Sequence, residues 1–190
     1  MLKDLVIKNR SYRRFDRSVP ITEAQLRGWI DVARFAASSV NRQIIRYRLV
    51  TDTNEAAKTF ATLGWAGMLP DWPGPAEHER PVAYIVMLTD LAIWQPKLRD
   101  EGIAAQTILL AAAEDGFAGC MLGNVRREQL AEALGIDQEK YEIGLVLALG
   151  KAGETVRLTD LPPDGNTAYY RDENDVHWVP KRSLDEIIIK

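Results

Sequence analysis

The sequence predicts one domain of the α/β or α+β class, in which strands alternate with helices around a buried central helix. Segments 82–88 and 143–149 are short and apolar on both faces, as buried strands are. Segment 103–113 is apolar almost all round, which is typical of a helix covered on most sides. A length of 190 residues with a 46% hydrophobic fraction suits a single domain, 1–190, with a substantial core.

Composition argues against several classes of protein. A net charge of -3 is unlike that of a general nucleic-acid binder, and the single cysteine, Cys120, allows no intramolecular disulfide and fits a reducing compartment. His78 and His177 lack the spacing of a metal site. No apolar run approaches the ~20 residues of a membrane span, and the N-terminus lacks the apolar stretch of a signal peptide. We expect a cytoplasmic protein without a metal, nucleic-acid or membrane partner.

The N-terminal elements follow from helical spacing and a capping motif. Leu2, Leu5 and Val6 predict a short helix ending near Asn9, and a basic turn occupies 10–15. Thr22 and Gln25 have the spacing of a capping box that begins a helix over 23–37. Its apolar face is expected to comprise Leu26, Trp29, Ile30, Ala33 and Ala37.

The middle of the chain alternates between strands, helices and turn-formers. Segment 38–41 breaks the preceding helix, because its side chains compete for backbone hydrogen bonds. The subsequent elements are a strand over 46–51, a helix over 54–63, an ordered loop over 64–75 and a strand over 82–88.

The second half begins with the central helix, predicted over 97–115 and ended by Gly116. A short strand over 117–122, an amphipathic helix over 126–134 and a strand over 143–149 follow. The remaining residues, 151–190, form a more polar extension with an apolar tail, Ile187 to Ile189. That tail needs a surface that buries it, either the core of the same chain or a partner subunit.

Motifs for chemistry performed by side chains alone are missing. The sequence contains no dinucleotide fingerprint, no phosphate-binding P-loop and no nucleophile elbow. If the protein is an enzyme, a bound cofactor is expected to perform the reaction.

The basic turn is the first candidate binding segment. Arg10, Arg13 and Arg14 crowd three positive charges into five residues, and Ser11 adds a neutral donor. The planar fork of arginine suits a phosphate group. The alternative is a solvated basic turn that joins two helices.

Three further segments are weaker candidates when each is taken alone. The amides and hydroxyls of Ser38, Ser39, Asn41 and Gln43 suit a heteroaromatic edge or a polyol, although they could simply end a helix. The segment 120–123 offers backbone and apolar contact to a flat ligand, or is a plain strand-to-helix turn. Cys120 is expected to be a buried small hydrophobe. The third segment, Lys181 with Arg182, could supply positive charge to the same anion as the basic turn, or could be a solvated pair. In segment 120–123, the candidate residues are Cys120, Met121, Leu122 and Gly123.

In their order along the chain, these segments resemble the nitroreductase superfamily of flavin enzymes. Residues 9–15, NRSYRRF, are similar to its opening Arg-Arg-Ser-x-Arg-x-Phe, and residues 37–43, ASSVNRQ, to its Pro-Ser-x-x-Asn-x-Gln. Residues 116–123, GFAGCMLG, look like Gly-Leu-Gly-Thr-Cys-Trp-x-Gly, and residues 182–186, RSLDE, resemble Arg-x-Leu-Glu-Glu. Two departures are Asn9, where the family has its first arginine, and Ile44-Ile45, where it usually has Pro-Trp.

The resemblance implies an α+β fold with a central mixed β-sheet flanked by helices, and an intimate homodimer with FMN at the subunit interface. By the same resemblance, Arg10, Ser11 and Arg182, with Lys181, would hold the FMN phosphate, and Arg13 would lie near the pyrimidine edge of the flavin. Ser38, Ser39 and Asn41 would reach the flavin of the other subunit, and Gln43 is a further expected cofactor-binding residue. The backbone of 120–123 would line the ring, with the Gly123 amide near N5.

The resemblance also implies ping-pong transfer from NADH or NADPH through FMN to a small aromatic, quinone or nitro acceptor. Trp65, Met68 and Trp72 would form the wall of the substrate pocket, or else only anchor their loop. The alternatives are a specialised relative (deiodinase-like, flavin-fragmenting or ene-reducing) and a flavin-binding carrier or sensor without turnover. A cofactor-free interaction domain is a third possibility.

Overall fold

The computed structural model describes residues 1–93 and 99–189, and within them a five-stranded antiparallel sheet forms the centre of the fold. The central strand β5 pairs with β3 on one side and with β4 and β1 on the other, and β2 pairs with the outer side of β3. The strands are β1 (Phe15–Asp16), β2 (Ile45–Val50), β3 (Ala83–Asp90), β4 (Ala118–Leu122) and β5 (Tyr141–Ala152).

Helices cover both faces of this sheet. The helices are α1 (Leu2–Lys8), α2 (Glu23–Ala33), α3 (Thr53–Ala61), α4 (Asp100–Glu114) and α5 (Arg127–Leu134). Along β5, Leu147 and Leu149 belong to the core cluster that includes residues of α2 and α4, whereas Val146 and Ala148 belong to the cluster that includes residues of α5. The α+β class is therefore confirmed, and so are the two strands predicted to be buried on both faces.

The pairing differs from the mixed sheet that the resemblance implied. All strand pairs of this sheet are antiparallel in the part of the chain that the structure describes. A parallel element enters only as an isolated bridge between Ser11 and Gly119 at the outer edge of β4. The bridge at Ser11 thus extends the sheet without forming a strand, whereas Phe15, the last residue of the basic turn, begins β1.

The central helix has the predicted character. Seven residues of α4 are buried, five of them alanine or leucine, and Gly119 of β4 lies against Leu109 so closely that a methyl group at position 119 would collide with it. The helix begins at Asp100, and predicted positions 97 and 98 lie outside the described residues.

The second helix ends four residues earlier than predicted, at Ala33. The backbone N–H of Ser39 donates to both carboxylate oxygens of the buried Asp100, at 3.0 and 2.9 Å. The chain must leave the helix before Ala37 to reach that acceptor. Ala37 is consequently exposed, whereas Leu26, Trp29 and Ala33 are buried as predicted.

The C-terminal extension contains a small second sheet that the sequence did not predict. Strand β6 (Val156–Asp160) pairs in parallel with β8 (His177–Lys181), which pairs antiparallel with β7 (Tyr170–Arg171). A short helix, α6 (Leu184–Ile187), follows. Residues Ile187, Ile188 and Ile189 are 61%, 55% and 95% exposed, so the tail does not pack on the core of this chain.

No helix among the described residues combines the length and apolar character that crossing a bilayer requires.

Candidate functional site

The basic turn lies along the outer edge of β4. Ser11 forms a parallel bridge with Gly119, and the backbone N–H of Tyr12 donates to the carbonyl oxygen of Gly119 at 3.1 Å. Two segments separated by more than 100 residues, 10–13 and 119–123, therefore adjoin, as the sequence analysis expected of a common site.

Arg10 and Arg13 have incompletely satisfied guanidinium groups. Arg10 donates through Nη2 to the carbonyl oxygen of Val6 at the end of α1, and Arg13 donates through Nη1 to the carbonyl oxygen of Ser11 at 3.3 Å. The Nε atom of each is buried and has no hydrogen-bond partner among the described residues, and burial lowers the pKa of Arg10. Within the described residues neither side chain forms an ion pair with a carboxylate.

Arg14, the third arginine of the turn, has a different environment. It forms ion pairs with Asp175 and, at 3.5 Å, with Glu79. Its guanidinium also lies 5.8 Å from the ring centre of Trp72. These contacts compensate its charge inside the protein, so Arg14 is a structural residue in this fold.

The side chains of β4 alternate between the two layers of the core. Cys120 and Leu122 are buried in the cluster that includes residues of α5, while the half-buried Met121 packs against the cluster that includes α4. Desolvation raises the pKa of the Cys120 thiol to about 11, so it stays protonated at neutral pH. Cys120 is a buried small hydrophobe, as predicted. Gly123 is exposed where the strand ends, which leaves its backbone open to a ligand.

The serine and amide segment lies at the opposite end of α4 from the basic turn. Ser39 is bonded to Asp100 at the start of the helix, whereas Lys8, next to the basic turn, donates through Nζ to the carbonyl oxygen of Ala113 near its end, at 3.1 Å. Thirteen residues of helix separate those two anchors, or about 20 Å. One chain therefore does not bring the two predicted groups together.

The backbone of this segment is unusually shaped. Val40, Asn41 and Gln43 have φ angles of 52°, 53° and 50°, in the left-handed region that non-glycine residues rarely adopt. Asn41 and Gln43 are exposed, and Ser38 and Gln43 line a cavity of about 170 Å³ that also borders Asp100.

The three residues assigned to a pocket wall have separate roles in the fold. Trp65 packs against Phe60 with ring centres 5.6 Å apart. The ring centre of Trp72 lies 5.8 Å from the guanidinium carbon of Arg14 and 5.5 Å from that of Arg171. These contacts anchor the loop. Met68 is 53% exposed, which leaves its side chain available for contact with a substrate.

Lys181 and Arg182 are exposed at and just beyond the end of β8. Arg182 is 3.9 Å from Glu186, and no contact joins either side chain to the basic turn in the described part of the chain. Their predicted contact with the phosphate stays a prediction.

Sequence reasoning missed Glu154 and Tyr169, which contact the basic turn from the extension, and Arg171, which pairs with Glu154. The carboxylate of Glu154 accepts the backbone N–H of Arg13 and of Arg14, and the ring of Tyr169 lies 4.7 Å from the Arg13 guanidinium carbon. The signal available in the sequence was the crowding of three arginines, which calls for a buried acid elsewhere in the chain.

Comparisons with known proteins agree with this architecture. The model of the Nitroreductase family matches residues 80–151. A Bacillus subtilis (strain 168) protein given the name of an NAD(P)H nitroreductase, YdgI, is 23% identical, and the match covers 76% of this chain and 85% of that protein. The resemblance to the nitroreductase superfamily is thereby confirmed.

Two solved structures are also similar. A Desulfovibrio desulfuricans protein described as a nitroreductase in complex with FMN has a TM-score of 0.72 at 17% identity, covering 100% of this chain and 95% of its own. The enone reductase CLA-ER of gut-bacterial fatty acid saturation has a TM-score of 0.67 at 19% identity, covering 86% and 93%. At these identities the likeness establishes the fold.

Proposed function

We propose that this chain, which has the nitroreductase fold and matches the model of that family, is an FMN-dependent oxidoreductase. It would pass reducing equivalents from NADH or NADPH to a small aromatic, quinone or nitro acceptor. The observation that supports this most directly is the pair of arginines at the edge of β4, Arg10 and Arg13, which have no carboxylate partner among the described residues.

The donor set fits FMN. A buried guanidinium N–H without an acceptor is costly, and an anion beside the turn would satisfy it. Arg10, Arg13 and Ser11 are arranged around one short segment, which suits a single terminal phosphate and one further anionic position. The sequence lacks the fingerprint of a dinucleotide site, so FMN is favoured over FAD.

The residues of the proposed FMN site have different roles. Arg10 and Ser11, supported by Lys181 and Arg182, hold the phosphate, and the backbone of 120–123 lines the ring. Arg13 stabilises the negative charge that the ring gains on reduction. FMN itself supplies the hydride chemistry when bound, so no side-chain nucleophile is required.

A second copy of the chain would complete the site. Ser38, Ser39, Asn41 and Gln43 lie about 20 Å along α4 from the basic turn, too far to share one flavin with it easily inside a single chain. The exposed tail residues Ile187 to Ile189 offer an apolar surface for such a partner. We therefore include a homodimer in the proposal.

Anaerobic reduction of the purified protein tests the proposal. The bound flavin should be bleached by NADH or NADPH and restored by an added quinone or nitroaromatic acceptor. A flavin that stays oxidised with both donors would leave a binding protein without turnover, and a protein that stays colourless after addition of FMN would contradict the proposal entirely.

An ene-reducing activity is the second candidate, supported by the structural likeness to CLA-ER. The same anaerobic experiment distinguishes the two. An activated enone should then restore the oxidised flavin faster than a quinone or a nitroaromatic compound does at equal concentration.

A further inference from the structure

A buried acid fixes the backbone of the basic turn. Glu154 accepts the backbone N–H of Arg14 through Oε1 at 3.1 Å, and the same oxygen accepts the N–H of Arg13. Its other oxygen, Oε2, pairs with Nη2 of Arg171 at 2.6 Å, and the Glu154 side chain is only 2% exposed. Because a buried carboxylate needs compensation, the positive charge of Arg171 is held at Glu154.

The carboxylates of this region are divided unequally among its arginines. Arg14 is paired with Asp175 and Glu79, and Arg171 with Glu154 and, at 3.3 Å, with Asp175. Arg13 receives only backbone contacts from Glu154, and its guanidinium has no ion pair among the described residues. The charge of Arg13 is therefore available to an anion that is not one of these carboxylates.

The side chain of Arg13 is held by an aromatic ring instead of an acid. Its guanidinium carbon lies 4.7 Å from the ring centre of Tyr169, a cation–π distance. The hydroxyl of Tyr169 accepts the backbone N–H of Met68 at 3.2 Å, and its ring packs 5.1 Å from that of the buried His177. Tyr169 is therefore fixed from two sides. Burial keeps His177 uncharged at neutral pH, with its pKa lowered to about 4, so it adds no positive charge beside Arg13.

We propose that Glu154 and Tyr169 are positioning residues, which fix the turn and direct an uncompensated Arg13 guanidinium toward the bound flavin. The inference rests on the proposed function, because the flavin is the anion that Arg13 would meet. It goes beyond that function by assigning a role to the C-terminal extension: the extension supports the arginine whose charge favours the reduced flavin.

A double-mutant cycle between Tyr169 and Arg13 tests the inference in the FMN-loaded protein. Arg13→Gln should weaken binding of reduced FMN about tenfold more than binding of oxidised FMN, and so lower the midpoint potential. Tyr169→Leu should change the potential in the same direction by a smaller amount. Tyr169→Phe, which keeps the ring, should leave the potential close to that of wild type. In the Arg13→Gln background, Tyr169→Leu should have no further effect. Tyr170→Leu, at the exposed neighbouring tyrosine, is the control.

Glu154 is tested by Glu154→Gln, which keeps an acceptor for the turn but removes the charge that holds Arg171. Released from Glu154, Arg171 keeps only its pair with Asp175 at 3.3 Å among the described residues and becomes a second incompletely compensated cation, so the potential should no longer depend on Arg13 alone. The Arg13→Gln effect should then be smaller in the Glu154→Gln background than in the wild type.

An NMR experiment on the apo-protein measures the contact between Arg13 and Tyr169 directly. In the apo-protein, the Nε–H NMR signal of Arg13, assigned by its loss in Arg13→Gln, should be shifted upfield by the ring of Tyr169. It should move downfield in Tyr169→Leu and stay in place in Tyr169→Phe.

The outcomes separate the two claims. A wild-type protein that binds no FMN overturns the proposed function, and the inference with it. If the wild type binds FMN, two results overturn the inference alone. One is that the shifts in potential caused by Tyr169→Leu and Arg13→Gln are additive. The other is that the Nε–H signal of Arg13 does not move in Tyr169→Leu.

Discussion

Charge compensation distinguishes the three arginines of the basic turn, although the sequence presents them as equivalent. Arg14 is neutralised by two carboxylates, whereas Arg10 and Arg13 have none among the residues that the structure describes. The sequence indicated an anion near this turn, because like charges rarely crowd without a counter-ion. It could not indicate which arginine the protein itself neutralises, since Glu79, Glu154 and Asp175 are far away in the chain.

His177 should make stability depend on pH below neutrality. It is 1% exposed, neither ring nitrogen has a hydrogen-bond partner in the described part of the chain, and burial lowers its pKa from 6.5 to about 4. In the unfolded chain His177 is protonated below about pH 6.5, whereas in the folded chain it is protonated only below about pH 4. The free energy of unfolding therefore decreases as the pH falls through that window. The loss should reach about 1–3 kcal/mol near pH 4.

Urea unfolding between pH 7.5 and pH 4.5 checks this expectation. The difference in the free energy of unfolding between wild type and His177→Phe should change with pH, in favour of the variant as the pH falls. His78→Gln, which removes the exposed histidine, is the control and should follow the wild type. A constant difference between wild type and His177→Phe would show that His177 titrates normally in the folded protein.

The glycine within β4 and the glycine that follows it, Gly119 and Gly123, have different surroundings. Gly119 faces α4, and a methyl group there would lie 3.0 Å from the carbonyl oxygen of Ala148 and still closer to Leu109. Gly123 is open, with only a methyl of Leu145 at 3.6 Å from such a group. We expect Gly119→Ala to cost about 1–3 kcal/mol of stability through overpacking.

Gly123→Ala should have the opposite profile. Its stability should stay within about 0.5 kcal/mol of wild type, because the folded chain has room for the methyl group, while FMN affinity falls because the ring approaches the backbone there. Thermal unfolding of the apo-proteins and FMN titration measure the two quantities. Equal FMN affinity in wild type and Gly123→Ala would remove 120–123 from the flavin site.

The sequence predicted four of the five strands of the main sheet and its helices well, because each has a strong local pattern. The two-residue β1 (Phe15–Asp16) was not predicted and begins within the basic turn. The capping box at Thr22 and Gln25 is present, and the left-handed Gly135 follows α5 as predicted. The errors occur where contacts between residues distant in the sequence determine the structure. These are the early end of α2, which lets the N–H of Ser39 reach Asp100, and the small sheet β6–β8–β7. In that sheet, β6 and β8 pair although 16 residues separate them, and the two-residue β7 has no periodicity to read.

The site was predicted less completely than the fold. Residues 10–13 and 119–123 do adjoin, but the resemblance gave no indication that Tyr169 and Glu154 support them. Those residues lie in a polar stretch without helical or strand spacing, and only the folded chain brings them to the arginines.

The molecule as a whole leaves apolar surface uncovered at both ends of the chain. Leu2 and Ile7 of α1 are 70% and 46% exposed, and the tail at 187–189 is more exposed still. We expect a dimer of twice the 21.3 kDa chain mass in solution, with the tail buried against the partner.

Light scattering of a tail variant tests this arrangement. Ile187→Ser combined with Ile189→Ser should shift the mass toward 21.3 kDa and weaken FMN binding together, because the second copy completes the site. Asp164→Ser in the exposed loop before β7 is the control. A wild-type protein that is monomeric at micromolar concentration with flavin bound would refute the shared site.

Calorimetric titration of the apo-protein with FMN and with riboflavin, which lacks the phosphate, tests the central claim most directly. Wild type should bind one FMN per chain and bind riboflavin about 10- to 150-fold more weakly, corresponding to about 1.5–3 kcal/mol for a charge-assisted contact. In Arg10→Ala this preference for FMN should largely disappear, and in Arg182→Ala it should diminish, while Arg27→Ala on the exposed face of α2 should keep it in full. Equal affinity of the wild type for the two ligands, or an undiminished preference in Arg10→Ala, would contradict the assignment of the basic turn to the FMN phosphate.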